Sequence, residues 1–197
     1  MGLRKMTPLP AATLVATLVA ALGIAAALAG DAATRGAGQQ AEAGKVTASW
    51  TEVKWPFPID QWGTGRAFQC GAKDCGAEIK LYLRPKLGFC NCTTGVSDDA
   101  ELDRVGDLEL FSEKFDGLRE GRAIKVGWMS GRSRPYRVAI PYEVPRIVLA
   151  IAFNDRCDVV VASVVAAREH VPAAERAALD FLNGDLVLRW AERELGL

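Results

Sequence analysis

The chain has 197 residues, half of them apolar and a quarter charged, with 24 basic and 24 acidic side chains and a formal net charge of zero. Neutrality excludes a general nucleic-acid binder, which needs a basic excess to neutralise phosphates. A single histidine, His170, excludes multi-histidine metal sites and leaves any imidazole chemistry to one ring.

Arg4 and Lys5 precede a run without a charge, residues 11–30. A basic start followed by an apolar stretch reads as a secretory signal, with small residues Ala27 and Ala29 suiting cleavage after Ala29. The stretch is also long enough to span a bilayer, so a retained anchor is the alternative, with the rest of the chain outside. No cysteine follows the run closely and no arginine pair precedes it, which argues against lipid modification and twin-arginine export. The Ala- and Arg-rich composition points to a bacterial periplasm or the outer face of the inner membrane. Residues 31–49 lack hydrophobic periodicity and read as a flexible linker, leaving residues 50–197 as one exported globular domain.

The domain opens on Trp50, Trp55-Pro56-Phe57-Pro58 and Trp62, where prolines impose an extended path and the aromatics read as a strap over the core. Cys70 and Cys75 follow, then residues 78–84, in which Ile79, Leu81 and Leu83 alternate with polar neighbours as a half-buried strand does. Cys90 and Cys92 come next. Asp98 and Glu101 have capping-box spacing and start a short helix through Leu102 and Val105. Asp99, Asp103 and Asp107 share a face of that helix if it continues, and read as solvated; the run lacks the glycine of a calcium loop.

Two alternating runs follow, Ile124-Val126-Trp128 and Tyr136-Val138-Ile140. The residues between them, 131–135, read as a loop carrying Arg132 and Arg134, with Arg137 just beyond and no acid between Val126 and Tyr142. Guanidinium forks on a loop suit an anion or a protein partner. Residues 147–153 are apolar on both faces, as in a central strand, and Asn154-Asp155 reads as the turn to a partner strand, residues 157–165. Pro172 opens a helix striped by Leu179 and Leu182. Gly184 stops it, and Asp185 caps a second helix lined by Leu186, Val187, Trp190 and Leu195. The order describes an α+β domain: a mostly antiparallel sheet with a short helix before it and two C-terminal helices.

In an oxidising compartment, Cys70, Cys75, Cys90 and Cys92 are expected in disulfides joining the two pairs, with Cys157 a buried free thiol or, as the fallback, a partner for one of the four. The alternative is a thiol-dependent site for zinc or another thiophilic metal, or for redox chemistry, although C-x-x-C is absent. Otherwise no cofactor is expected. His170 stands beside no nucleophile motif and no phosphate-binding glycine pattern occurs, so no catalytic residue is assigned. The resulting expectation is a non-enzymatic binding or interaction module for an unknown protein or small anionic ligand, with membrane contact through residues 11–30 if these are retained. A reporter fused to the C-terminus is expected to be active only outside the cytoplasm. Cytoplasmic activity of the fusion contradicts export.

Overall fold

The computed structural model describes residues 48–139 and 146–197; the apolar run 11–30 and most of the linker lie outside them. Eight strands form one antiparallel sheet: Trp50–Val53 (β1), Arg66–Cys70 (β2), Ile79–Lys86 (β3), Phe115–Gly117 (β4), Arg122–Val126 (β5), Met129–Val138 (β6), Arg146–Asp155 (β7) and Asp158–Ala166 (β8). Their spatial order is β1-β2-β3-β8-β7-β6-β4, with β5 also paired to β6. Among the described residues four helices accompany the sheet: Ala72–Cys75 (α1), Asp99–Val105 (α2), Val171–Leu182 (α3) and Asp185–Glu194 (α4). The fold is therefore α+β, but the short helix α2 lies between β3 and β4 rather than ahead of the sheet.

The apolar character of β7 follows from cover on both sides. Leu149, Ile151 and Phe153 face α3 and α4, packing with Leu81, Leu83, Ala178, Leu182 and Trp190. Val148, Ala150 and Ala152 face the other way, against Leu102 and Val105 of α2. Successive side chains point to opposite faces, so only a strand covered twice lacks polar alternation. The β7–β8 hairpin turns at Arg156 and Cys157, two residues later than Asn154-Asp155. Asp155 pairs with Asp158, and Arg156 takes the left-handed conformation (φ 53°).

The long strand β6 is bordered by β7 on one edge and by β5 and then β4 on the other. Residues 131–135 are thus strand, and the β5–β6 turn is Gly127-Trp128. Pro135 is tolerated because it lies opposite the gap between β5 and β4, where its carbonyl meets the Leu118 amide (2.9 Å) and no ladder donor is required. Trp55 and Phe57 lie over Tyr82 and Phe111, with Phe57 4.8 Å from Tyr82 and 5.2 Å from Phe111 between ring centres. Residues 55–57 are therefore a strap on the α2 side of the sheet, whereas Trp50 stacks on Phe181 of α3 on the other side (4.8 Å).

The disulfides are Cys70–Cys75 and Cys92–Cys157, with Cys90 the free, buried thiol among the described residues. This corrects the expected bonds between the two pairs and the expected free Cys157. Cys75 precedes β3 and Cys90 follows it, so eight strand residues at about 3.3 Å each separate them. The Arg156-Cys157 turn lies at the far end of β3, because Val159 pairs with Lys86. Acid-denatured, unreduced protein is expected to show one free thiol, at Cys90. Loop-closure entropy gives about 4 kcal/mol to the bond spanning 65 residues and about 2 to the one spanning five. Cys157→Ser should therefore lower urea stability more than Cys75→Ser.

Candidate functional site

The acidic run is only partly a solvated face: Asp98 and Asp103 are exposed, Asp99 is half-buried and Asp107 is buried. Asp98 caps α2 by accepting from the Glu101 amide (2.8 Å), and from there Asp99, Asp103 and Asp107 recur every four residues toward the sheet. Asp99 accepts from the Arg132 guanidinium and from the Gly121 amide (3.1 Å), and its carboxyl titrates below its ordinary value; burial opposes that shift and these donors outweigh it. Asp103 accepts from Arg134 (3.3 Å) and from the Tyr136 hydroxyl. Burial and that carboxylate raise the tyrosine's pKa.

Asp107 is 5% exposed and serves two buried cations. Arg84 Nε and Nη2 donate to its two oxygens (2.7 and 2.8 Å), and Lys86 Nζ lies 2.8 Å from Oδ1. Arg84 Nη1 donates to Asp60 (2.7 Å), and Lys86 also donates to the Val105 carbonyl (2.8 Å). Burial pulls the Lys86 pKa down. It acts the same way on Arg84, where the hydrogen bonds to Asp107 and Asp60 overcome it. The Trp62 and Phe89 rings lie 5.5 and 5.3 Å from the ammonium and wall a cleft of about 560 Å³ above this cluster.

The three arginines expected to hold an anion do not converge. Side chains of Arg132 and Arg134 lie on the α2 face of β6, while Arg137, one residue out of phase, belongs to the opposite face. Arg132 also donates to the carbonyls of Gly121 (3.0 Å) and Ser97 (3.3 Å), and Arg134 to that of Arg119 (2.9 Å). The first two therefore stitch the β4–β5 connection to α2. Arg137 is exposed.

Beside Arg132, a groove of about 590 Å³ opens along β5, the start of β6 and residues 94–97. Its polar lining is Thr94, Ser97, Arg122, Lys125, Ser130 and Asn154, and no carboxylate lines it. Lys125, Ser130 and Asn154 lie in one cross-strand row, which the registers of β5, β6 and β7 place on a common face. Arg122, out of phase with Lys125, turns toward the α3 face, where buried Glu175 Oε1 accepts from its Nε (2.9 Å) and from the Ser133 hydroxyl. Gly95, with φ +61°, closes the groove wall: its Cα lies against the Asn154 amide where a Cβ would collide, and Asn154 Oδ1 accepts from the Val96 amide (2.9 Å). Lys125 and Ser130 carry no sequence motif; only strand register reveals them.

His170 sits at the start of α3 without a side-chain capping bond. Among the described residues no cluster suited to a metal ion occurs, and four of the five thiols are in disulfides. No described helix is long and apolar enough to cross a membrane.

No protein-family model matches the chain, and no curated protein matches it. Among solved structures the chain is similar to cyanobacterial PsbP (CyanoP) from Synechocystis, at 14% identity over 68% of this chain and 78% of that one, with a TM-score of 0.42. It is also similar to LpqN, a Mycobacterium tuberculosis protein involved in cell envelope biogenesis, at 15% identity over 66% and 79% of the chains, with a TM-score of 0.36.

Asp107→Ala strands Arg84 and Lys86 without their shared partner. It is expected to lower urea stability by about 3–5 kcal/mol. Replacing Arg84, Lys86 and Asp107 together by apolar residues of similar volume should recover most of that loss.

Proposed function

We propose that this chain is an exported, disulfide-braced binding module, without an enzymatic role, that holds a small anionic ligand in the groove beside Arg132. The observation that carries the reading is the groove's lining: Lys125 with the hydroxyls of Thr94, Ser97 and Ser130 and no carboxylate, Arg122 being out of phase with Lys125 on β5 and turned toward Glu175 on the α3 face. An oxyanion needs both kinds of group, a positive field and donors that bond its oxygens. Arg122 is partly neutralised by Glu175, whereas no carboxylate pairs with Lys125 among the described residues, so Lys125 supplies the unspent charge. The anion expected at Arg132, Arg134 and Arg137 is thus reassigned to the groove that Arg132 borders.

Two disulfides suit an oxidising compartment, in line with export. The finer location, the bacterial periplasm or the outer face of the inner membrane, rests on the N-terminal run and on composition.

Titration with inorganic phosphate and with a small dicarboxylate, followed by amide chemical shifts, tests the reading. Shifts should gather on residues 94–97, 122–125 and 130–131, and fade as salt screens the charges. Lys125→Ala should weaken binding by about tenfold, equivalent to about 1.4 kcal/mol. Arg137→Ala, on the other face of β6, should leave it unchanged. Equal losses in both variants, or shifts elsewhere, defeat the groove.

A further inference from the structure

The loop after β3 crosses the β7–β8 turn and brings Cys90 and Cys92 to Cys157. The Cys90 amide donates to the Cys157 carbonyl (3.0 Å), and the Cys90 thiol donates to the Arg156 carbonyl (3.2 Å). These two bonds hold the free thiol against the two-residue turn whose second member carries the disulfide to Cys92. Cys90 is 6% exposed, while Cys92 is exposed. One thiol is thus buried beside a bond whose other sulfur faces solvent.

We propose that Cys90, Cys92 and Cys157 form an internal thiol–disulfide exchange site that delivers an exposed, reactive thiol at Cys92. The Cys90 thiolate attacks the sulfur of Cys157, a Cys90–Cys157 bond forms, and the Cys92–Cys157 bond breaks. Cys92 leaves as a thiolate and takes up the proton that Cys90 lost, so no external oxidant or reductant is needed. The exposed Cys92 thiol, on losing that proton, attacks a low-molecular-weight disulfide as the thiolate, giving a mixed disulfide on Cys92 and a small thiolate that takes up a proton and leaves as the thiol. Burial, with the carboxylates of Glu101 and Asp158 nearby and Arg104 opposing them, pushes the Cys90 thiol up to about 11. Exchange is therefore slow near neutrality and accelerates with pH.

A consequence concerns the groove. Cys92 anchors the segment that supplies Thr94, Val96 and Ser97 to it, so moving the bond to Cys90 removes the covalent tie nearest that wall and leaves it held by the Val96 amide on Asn154 and the Ser97 carbonyl on Arg132. This consequence rests on the groove reading; the exchange does not.

The test uses the full chain, recovered from an oxidising compartment and never reduced, without any groove ligand. Folded protein is incubated with N-ethylmaleimide for increasing times, quenched in acid, and its disulfides mapped by mass spectrometry. Maleimide is expected to accumulate on Cys92 together with a Cys90–Cys157 bond. The rate should rise by roughly tenfold per pH unit below the Cys90 value, as the thiolate fraction does. Oxidised glutathione in place of maleimide should yield a glutathione adduct on Cys92. Cys90→Ser should abolish labelling of Cys92. A Cys92–Cys157 bond that stays intact throughout, with label on Cys90 or nowhere, overturns the proposal, and so does unchanged Cys92 labelling in Cys90→Ser.

Discussion

One buried carboxylate organises the α2 side of this molecule. Asp107 neutralises both Arg84 and Lys86, two cations that β3 carries into an almost water-free layer. Neither cation could stay charged there alone, because removing an ion from water costs several kcal/mol unless its partners are in place. The requirement fixes where the chain after α2 must run. Asp107 can reach β3 only if Leu102 and Val105 lie on the sheet, so charge pairing and apolar burial impose the same docking. Asp60 adds the outer member of the network and pins the segment that carries Trp62.

The same helix repeats the arrangement toward its start. Asp103 meets Arg134 and Tyr136, and Asp99 meets Arg132 and the Gly121 amide. A helix places every fourth residue on one face and a strand every second residue, so Asp99 and Asp103 of α2 meet arginines of β6, while Asp107, beyond the end of the helix, meets the cations of β3. Arg132 and Arg134 are consumed in this way, and the connection from β4 to β5 is held by them. The charge left over lies one register step away, on Lys125. A basic cluster visible in a sequence can therefore be structural while a single lysine beside it has no carboxylate partner among the described residues.

The groove and the cysteine cluster share a wall. Residues 91–97 begin at the Cys92–Cys157 bond, cross the Asn154 side chain at Gly95, and end at the cap of α2. Asn91 contributes local order, its side-chain oxygen accepting from the amides of Thr93 and Thr94 (2.9 and 3.2 Å). The segment has no regular structure of its own, and its position depends on the covalent bond at one end and the helix cap at the other.

Local chemistry alone made much of this legible. The capping box at Asp98, the alternation through Ile79, Leu81 and Leu83, the doubly apolar β7 and the proline-led α3 are each set by neighbours a few residues apart, so the α+β class could be read without a structure. Three features could not. The disulfide partners depended on which ends of β3 face which turns, the acidic stripe of α2 on what the helix lies against, and the groove on cross-strand register between Lys125, Ser130 and Asn154. Each is a contact between residues distant in sequence. Periodicity shows that a residue has a face, whereas only the packed chain determines what that face meets.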